Sequence, residues 1–518
     1  MKKGKMFFML LLFALFSLSE IIAQDKINTI TVNVSEGKYT INRNIYGHFA
    51  EHLGRCIYDG IWVGTESSIP NIQGYRKDVL EALKELEIPV LRWPGGCFAD
   101  TYHWKDGIGP KQNRPTIENK FWGGTIEDNS FGTHEFLDLC EMLNTQPYLA
   151  VNVGSGSPQE AKDWIEYVTS DGNTPMANLR RKNGREKPWK VKFWGIGNEN
   201  WGCGGNMTAS YYADLFLRFS TYSWVDTKVA TGGLPDDYDW TETIMKKTER
   251  KQNLIGGISF HHYTVTHTWA DKGSALDFIK DEWFKTISKN FGMESMLKKH
   301  LAIMDKYDPE NKISMFADEW GNWHNVEPGT NPGFLYQQNT IRDAVSAAIY
   351  LNIFNNSCYR VKMANIAQTV NVLQAMVLTN DKFLVKTPTF YVFKMYKKHF
   401  DALMLPTEVI SEKYLNGTEE IPSLSASASQ NKDGEINITL ANVTADNDLQ
   451  TSINLNGLED FEIINSEIIT ADKINSHNDF NKKEEVGIKE FNSVDKDGNN
   501  LIVNIPSKSI VSISLKIK

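Results

Sequence analysis

Cysteine is scarce in this sequence, and its scarcity excludes two kinds of structure. The 518 residues contain 5 cysteines, at positions 56, 97, 140, 203 and 358. So low and odd a number excludes a small fold held together by disulfides, and the spacings fit no zinc motif. We expect no bound metal, and we predict no cofactor.

The chain also lacks an excess of positive charge and, beyond its first residues, any long apolar run. Lys and Arg together number 55 against 64 Asp and Glu, which gives a formal net charge of −9. Binding of nucleic acid depends on clustered basic residues, so we expect no nucleic-acid partner. A bilayer span needs about 18 consecutive apolar residues, so we expect no membrane partner. A neutral ligand such as a sugar is compatible with this composition.

The first residues have the composition of a secretory signal peptide. Lysines at positions 2, 3 and 5 precede an apolar run at residues 6–16, and the small residue Ala23 follows. This order of a positive start, an apolar core and a small residue is typical of a cleaved signal. No cysteine follows Ala23 closely, which argues against a lipid anchor. We predict that residues 1–23 are removed and that the protein is secreted, to the periplasm or outside the cell.

Short apolar segments alternate with amphipathic stretches of helix length between residues 45 and 398. In the stretches 75–87 and 135–143, apolar residues recur every three or four positions, which is typical of helices with one buried face. Repeated strand-then-helix units predict a parallel sheet, and eight of them predict an α/β fold closed into a (β/α)8 TIM barrel. The predicted strands are residues 44–49, 90–94, 148–153, 191–196, 228–232, 255–260, 312–317 and 361–367.

The pattern of apolar and polar residues changes near residue 400. Val511, Ile513 and Leu515 alternate with polar residues, and residues 432–434, with glycine last, separate two alternating runs. These are the patterns of half-buried strands and of a hairpin turn. We predict an antiparallel β-sandwich domain at residues 399–518. Residues 24–44 contain a further alternating run, Ile30 and Val32, which we expect to pair with that domain.

Two glutamates stand at the carboxyl ends of predicted strands, where TIM-barrel enzymes carry their active sites. Glu199 follows the fourth strand and Glu319 follows the seventh, each among glycine and tryptophan residues. Hydrolysis of a glycosidic bond needs one carboxylic acid to protonate the leaving oxygen and one carboxylate as nucleophile or base. Asn198 is placed to hydrogen-bond a sugar 2-hydroxyl. Asp318 is expected on the opposite face of its strand, in a structural role.

At this point the sequence resembles glycoside hydrolase family 51, the α-L-arabinofuranosidases. The resemblance is carried, in order through the barrel, by residues 47–55, 91–96, 104–110, 197–199, 259–263, 318–320 and 367–372. It implies retention of anomeric configuration, with Glu199 as general acid/base and Glu319 as nucleophile. It further implies exo-acting release of terminal arabinofuranose from arabinan or arabinoxylan, a C-terminal β-sandwich and assembly into a hexamer.

The resemblance also implies which side chains contact the sugar. The arabinose-contacting residues would be Glu51, Asn198, His261, Tyr263 and Gln368, and the aromatics on the leaving-group side Trp122 and Trp323. Glu51 has the alternative of an ion pair with Arg55 or Arg92, and Gln368 that of satisfying backbone groups. Of the adjacent pair His261 and His262, only one can face the barrel mouth, and we favour His261. Residues 94–96 are interpreted as a tight strand exit.

Cys97 departs from the family pattern, because it stands where many members carry a sugar-contacting asparagine. We include it among the substrate-binding candidates. Cys203 is a second unusual residue and follows the Glu199 segment. Both cysteines are expected at the catalytic end of the barrel. We expect two free thiols, with a bridge between them as the alternative if the Cα atoms come within about 7 Å.

Two other functions compete with this interpretation. The same pair of glutamates on a related barrel serves a β-xylosidase or an endo-β-glucanase. A non-catalytic sugar-binding protein is the alternative of a different class. That alternative expects one catalytic glutamate to be replaced, whereas Glu199 and Glu319 are both present.

Overall fold

A computed structural model of the chain describes residues 28–518, so the predicted signal peptide lies outside the described residues. Within that range, eight parallel strands close into a barrel whose strands neighbour one another in chain order. The TIM-barrel prediction is therefore confirmed. The barrel strands, in order, are Gly47–Phe49, Val90–Trp93, Gln146–Val151, Phe193–Ile196, Thr227–Ala230, Gly257–Thr264, Ser314–Asn322 and Val361–Ala367.

Every barrel strand is followed by at least one α-helix. In Lys77–Leu86 the apolar residues Val79, Leu83 and Leu86 recur at helical spacing and are buried against the barrel. The α-helices around the barrel are Lys77–Leu86, Thr133–Leu143, Pro158–Thr169, Pro175–Lys182, Ala209–Tyr222, Tyr238–Thr248, Lys280–Tyr307, Ile341–Asn356 and Pro388–Tyr396. No helix in the described part of the chain combines the length and the apolar composition needed to cross a membrane.

Three barrel strands differ by three or more residues at one end from their predicted extents. The first strand begins only at Gly47, because residues Arg43–Tyr46 form a 3-10 turn that the Asn42 side chain caps. The sixth and seventh strands run on to Thr264 and Asn322. These longer strands themselves carry His261, Tyr263 and Glu319, so rigid backbone rather than loop positions these side chains.

The C-terminal part of the chain forms two packed sheets. Within residues 28–518, one sheet has five strands and the other has six. The strand Asn28–Asn33 joins the five-stranded sheet, antiparallel to Thr407–Ile410 and parallel to Leu449–Asn456. One pairing in this largely antiparallel domain is therefore parallel. The turn at residues 432–434 joins Leu424–Gln430 to Glu435–Asn442, with Gly434 at a φ of +81° that favours glycine.

Six further strands of the C-terminal domain complete the two sheets, beside a hairpin of Lys413–Asn416 and Glu419–Pro422. They are Leu403–Leu405, Phe461–Ile469, Lys489–Glu490, Val494–Asp497, Asn500–Ile505 and Ser509–Ile517. The last strand was expected to be half-buried, yet all of residues 509–515 are buried. The reason is that helix Ile341–Asn356 packs on the outer face of this sheet, so both faces of the strand are covered. That helix is buried on nearly every side, between the barrel and the sheet.

Candidate active site

The carboxyl groups of Glu199 and Glu319 meet at the open end of the barrel. One oxygen of each carboxyl group and one ring nitrogen of His261 all lie within 4.8 Å of one another. His261 Nδ1 lies 2.9 Å from Glu199 Oε1 and 3.6 Å from Glu319 Oε2. The Glu199 side chain is 19% exposed and the Glu319 side chain 6%. The two predicted catalytic residues thus share one site but differ in their access to solvent.

Glu199 is held in an unusual backbone conformation. Its φ of +40° lies in the left-handed region, which sterically disfavours residues other than glycine. Such a conformation costs about 1–3 kcal/mol and persists only where the surroundings impose it. The backbone N–H groups of Gly202 and Gly204 donate to the Glu199 carbonyl at 2.7 and 3.2 Å and close a tight turn. This turn directs the carboxyl group towards Glu319.

Glu319 is fixed by two donors. Arg92 Nη1 donates to its Oε1 at 2.7 Å, and the Tyr263 hydroxyl donates to its Oε2 at 2.8 Å. Hydrogen bonds from a guanidinium to a carboxylate are among the strongest in proteins. The two donors therefore hold the buried carboxyl group of Glu319 at a single orientation.

Arg92 is the functional residue that sequence reasoning missed, since it was considered only as an alternative partner of Glu51. Its Nη2 donates to Asn198 Oδ1 at 2.6 Å while Nη1 also donates to the Asp318 carbonyl at 3.2 Å. Burial opposes the charge, but the carboxylates of Asp318 and Glu319 raise the pKa of Arg92. Because Arg92 occupies the oxygen of the Asn198 amide, the NH2 group of that amide faces the other way and lies 3.9 Å from the Cys203 sulfur.

The prediction that Asp318 lies on the opposite face of its strand from Glu319 is wrong. Its Oδ1 lies 3.0 Å from His261 Nε2, and its Oδ2 accepts from the Tyr148 hydroxyl at 2.7 Å, inside the barrel. The pairing of the seventh and eighth strands shifts register between Ala317 and Trp320, and this irregularity breaks the simple alternation of side chains. Burial opposes ionisation, yet Arg92 and then His261 hold the pKa of Asp318 below its usual value.

His261 faces the barrel mouth and His262 faces away from it. Burial disfavours the charged ring of His261, but Glu319, Asp318 and Glu199 together raise its pKa to about 10. A protonated imidazole donates from both nitrogens, here to Glu199 and Asp318. His262 instead lies 2.5 Å from the Tyr350 hydroxyl with its Nδ1, and burial lowers its pKa to about 4. His262 is a packing residue.

Glu51 and Gln368 lie side by side in the wall of the site. Glu51 Oε1 accepts from Trp122 Nε1 at 2.9 Å, and its Oε2 accepts from Gln368 Nε2 at 3.0 Å. In the described part of the chain, Arg92 pairs with Asp318 and Glu319 and Arg55 donates to the Thr379 carbonyl, so neither forms the ion pair that was the alternative for Glu51. Burial, and then the charge of Glu319, raise the pKa of Glu51 to about 7. Within the described residues, Gln368 Oε1 is buried without a hydrogen-bond donor.

The glycines after strand two allow these carboxyl groups to approach the backbone. A Cβ atom at Gly95 would lie 2.9 Å from the Glu51 side chain, and one at Gly96 would lie 3.2 Å from Glu319 Oε1. Real Cβ contacts are essentially never so short at Gly95 and rarely so at Gly96. The tight strand exit at residues 94–96 therefore provides room for the two acidic side chains.

Tryptophans border the site on two sides. The backbone N–H of Trp122 donates to Asn119 Oδ1 at 3.2 Å, and this hydrogen bond fixes Trp122 beside Glu51. Trp323 meets the Tyr263 ring edge-on, with ring centroids 5.2 Å apart. Trp269, which the sequence analysis did not single out, packs edge-on against Trp323 at 5.6 Å and is 60% exposed. An isolated tryptophan in a long loop carries no sequence signal that would have marked it.

Cys97 and Cys203 form a disulfide, so the expectation of two free thiols is wrong and the alternative of a bridge is confirmed. Their Cα atoms lie 5.5 Å apart, within reach of a disulfide. The Cys203 sulfur lies 3.8 Å from Glu199 Oε2 and 3.9 Å from Asn198 Nδ2. Cys97 thus has no thiol hydrogen to offer a sugar hydroxyl, and the bonded sulfurs offer no thiolate to a metal.

Two family models match the chain and together cover most of it. The model described as Alpha-L-arabinofuranosidase 1 domain matches residues 82–285, and the model described as Alpha-L-arabinofuranosidase C-terminal domain matches residues 318–509. Both matched segments contain residues of the site described above. The first includes Glu199 and the second includes Glu319.

Relatives and solved structures match along almost the whole chain. An "Intracellular exo-alpha-L-arabinofuranosidase" from Bacteroides ovatus is 53% identical over 97% of this chain and 98% of its own length. The crystal structure of a GH51 arabinofuranosidase from Xanthomonas axonopodis pv. citri is 43% identical, with a TM-score of 0.92 over 95% of this chain and 100% of its own. An arabinose complex of an α-L-arabinofuranosidase from Thermotoga maritima is 30% identical, with a TM-score of 0.79 over 94% of this chain and 99% of its own.

One expectation is overturned by these comparisons. The Bacteroides ovatus relative is named an intracellular enzyme, which contradicts the predicted secretion of this chain. The prediction depended on the composition of residues 1–23 alone, because charge and apolar character were the only signals available there.

The family models, the relatives and the paired glutamates on strands four and seven agree. The alternative of a non-catalytic sugar-binding protein is therefore wrong. The chain belongs to glycoside hydrolase family 51 and is an α-L-arabinofuranosidase.

Proposed function

We propose that this α-L-arabinofuranosidase retains anomeric configuration and acts by double displacement. The observation that carries the proposal is the approach of the two carboxyl groups, whose nearest oxygens lie within 4.8 Å. Retaining glycosidases hold their carboxyl groups about 5–5.5 Å apart, whereas inverting enzymes leave about 6.5–9.5 Å for a water molecule. A carboxylate at the shorter separation attacks the sugar directly.

Glu319 is the nucleophile in this proposal. It is the more buried of the two carboxyl groups, and Arg92 and Tyr263 hold it at a fixed orientation by hydrogen bonds of 2.7 and 2.8 Å. A nucleophile needs this combination, because direct attack requires a defined position and an ionised oxygen. Glu319 attacks the anomeric carbon and forms a covalent arabinosyl-enzyme.

Glu199 is the general acid and then the general base. Its carboxyl group is the more exposed of the pair, which suits exchange of a leaving group for water. In the first step it gives a proton to the departing oxygen, and in the second it accepts one from the attacking water. His261 Nδ1 lies 2.9 Å from Glu199 Oε1 and is the group with which Glu199 shares a proton.

The sugar-binding roles follow from the polar groups around the two glutamates. The NH2 group of Asn198, oriented by Arg92, is the donor proposed for the 2-hydroxyl. Glu51, Gln368, His261 and Tyr263 supply the remaining polar contacts, and Trp122 and Trp323 border the leaving group. Cys97, which is bonded to Cys203, lines the site but has no thiol hydrogen to donate to the sugar.

We propose a terminal arabinofuranose of arabinan or arabinoxylan as the substrate. The exo-acting character is supported by the name of the Bacteroides ovatus relative. The relatives named above are arabinofuranosidases, which favours this substrate over the β-xylosidase or endo-β-glucanase alternative. Assembly into a hexamer stays a prediction.

The stereochemical outcome tests the proposal. Incubation with 4-nitrophenyl α-L-arabinofuranoside in dilute methanol should give methyl α-L-arabinofuranoside as the first transfer product, identified by ¹H NMR. Double displacement inverts twice and so restores the α configuration. A β-configured initial product, with no α-methyl glycoside, would identify an inverting enzyme and refute the proposal.

Tyr263→Phe should reduce kcat/KM by about 10- to 100-fold. The change removes one hydroxyl that donates to Glu319 at 2.8 Å and leaves the ring against Trp323. A hydrogen bond to a charged group contributes about 1.5–3 kcal/mol, and 1.4 kcal/mol corresponds to about tenfold in rate. Steady-state kinetics measure the effect, with the exposed Tyr222→Phe as the matched control. A change below about twofold would show that the hydroxyl contributes nothing to the transition state.

A further inference from the structure

Two segments from different strands meet beside Glu199. The first is the 3-10 turn Cys97–Thr101, which follows the second barrel strand. The second is the turn at residues 198–206, which follows the fourth strand and carries the Glu199 carboxyl group. The segments are joined by a covalent bond, Cys97 to Cys203, and by a hydrogen bond, since the Asn198 N–H donates to Asp100 Oδ2 at 2.9 Å.

Asp100 anchors this junction to the barrel. Its Oδ1 accepts the backbone N–H groups of Val153 and Gly154, both at 2.7 Å, at the end of the third strand. The base of the second segment, at Asn198, is therefore bound to rigid backbone. Its far side, at Cys203, is joined to Cys97 by the disulfide.

The position of Cys203 is coupled to that of the Glu199 carboxyl group. The N–H groups of Gly202 and Gly204, which flank Cys203, both donate to the Glu199 carbonyl. Glu199 itself has a φ of +40°, a conformation that relaxes unless the surrounding chain imposes it. A constraint on Cys203 is thus transmitted through two hydrogen bonds to a backbone that would otherwise rearrange.

We propose that the Cys97–Cys203 disulfide positions Glu199 for acid/base catalysis, and that a dithiol reductant switches this function down by opening it. The inference rests on the proposed role of Glu199. In the reaction, a dithiol donates two electrons and two protons, the S–S bond breaks, Cys97 and Cys203 become thiols, and the reductant becomes a disulfide.

The different burial of the cysteines favours reduction of this disulfide by an added dithiol. Both bridged cysteines are half-buried at the mouth of the site, whereas Cys56, Cys140 and Cys358 are buried in the core. Burial raises the pKa of Cys56 to about 12, and also that of Cys358 to about 12, which keeps these thiols unreactive. Opening the bridge also leaves a Cys203 thiol 3.8 Å from the Glu199 carboxyl group, to which its S–H can donate a hydrogen bond.

The expected signature depends on the leaving group. With 4-nitrophenyl arabinofuranoside, the first step needs no acid and the second needs a base, so kcat should fall by about tenfold or more in the reduced enzyme. This is part of the roughly 10²–10⁴-fold that general acid–base catalysis supplies. Azide attacks the arabinosyl-enzyme without a base, so it should restore turnover of this substrate. Turnover of an arabino-oligosaccharide should fall further and resist azide, because its first step needs the acid.

The experiment compares the oxidised enzyme, the enzyme reduced with dithiothreitol, and the double variant Cys97→Ser/Cys203→Ser. Alkylation and mass spectrometry of the reduced enzyme should label Cys97 and Cys203 first. Thermal unfolding monitors the fold, and Cys140→Ala, outside the site, is the control variant. If the double variant does not fold, reduction and reoxidation of the unaltered enzyme still decide the matter, since activity should return with the disulfide.

Two results would overturn the inference. One is a reduced enzyme whose kcat stays within about twofold of the oxidised value on both substrates, far short of a lost acid/base. The other is an equal loss on both substrates that azide does not rescue, which would indicate a structural role only. Azide rescue of Glu199→Ala in the oxidised enzyme is measured in parallel. Its failure would refute the assigned role of Glu199, whereas its success beside an unaffected reduced enzyme would refute only the role of the disulfide.

Discussion

Replacement of Glu319 by alanine should remove activity on substrates with good and with poor leaving groups alike. The change deletes the proposed nucleophile, so no arabinosyl-enzyme forms whatever the leaving group. In covalent enzymes the loss of a nucleophile costs on the order of 10⁵-fold or more in kcat. Steady-state rates with 4-nitrophenyl arabinofuranoside and with an arabino-oligosaccharide measure the effect.

Matched variants make this result interpretable. Glu319→Gln keeps the shape of the side chain beside Arg92 and Tyr263 but removes its charge, and it should be as inactive as the alanine variant. Glu249→Ala removes an exposed glutamate outside the site and should leave kcat unchanged. Retention of more than about one hundredth of the activity by Glu319→Ala would show that another group attacks the sugar.

Replacement of Glu199 by alanine should give a different pattern. The first step with 4-nitrophenyl arabinofuranoside should persist, since nitrophenolate leaves without a proton, but the second step should stall for want of a base. We expect kcat to fall by about 10²–10⁴-fold. A burst of nitrophenolate should precede the slow phase, because the arabinosyl-enzyme accumulates. Stopped-flow absorbance measures the burst.

Added azide should restore turnover of Glu199→Ala and yield the α-configured arabinosyl azide. Azide is already an anion, so it attacks the intermediate without a base and from the face that Glu319 does not occupy. NMR of the isolated product establishes its configuration. Rescue of Glu319→Ala to the β-azide, with Glu199→Ala inert, would mean that the two roles are reversed.

The sequence predicted the architecture because local patterns encode it. Alternating strand-length and helix-length apolar segments identified all eight barrel strands, since each pattern depends on the burial of residues only a few positions apart. The same regularity placed Glu199 and Glu319 at the catalytic ends of strands four and seven, which lie nearly opposite each other. It failed for Asp318, because a register shift near this residue depends on the neighbouring strand and not on its own segment.

The composition of residues 1–23 led to a wrong prediction of secretion, which the intracellular relative contradicts. A short positive and apolar start is a compositional signal, which by itself does not establish export. The cysteines illustrate a second limit of sequence-based prediction, because their pairing depends on the fold. Their number excluded a disulfide scaffold, but the bond between Cys97 and Cys203 joins positions 106 residues apart, and only the fold brings them together.

The sequence by itself therefore determined the fold class, the order of the strands and the two residues proposed for catalysis. Only the tertiary structure decided how those residues are held. Arg92 contacts Asn198 and Glu319 across separations of 106 and 227 residues, and no periodicity in the chain records such a contact. The physical reason is that secondary structure follows from burial between near neighbours. The hydrogen bonds that orient an active site depend instead on which distant strand ends the closed barrel brings together.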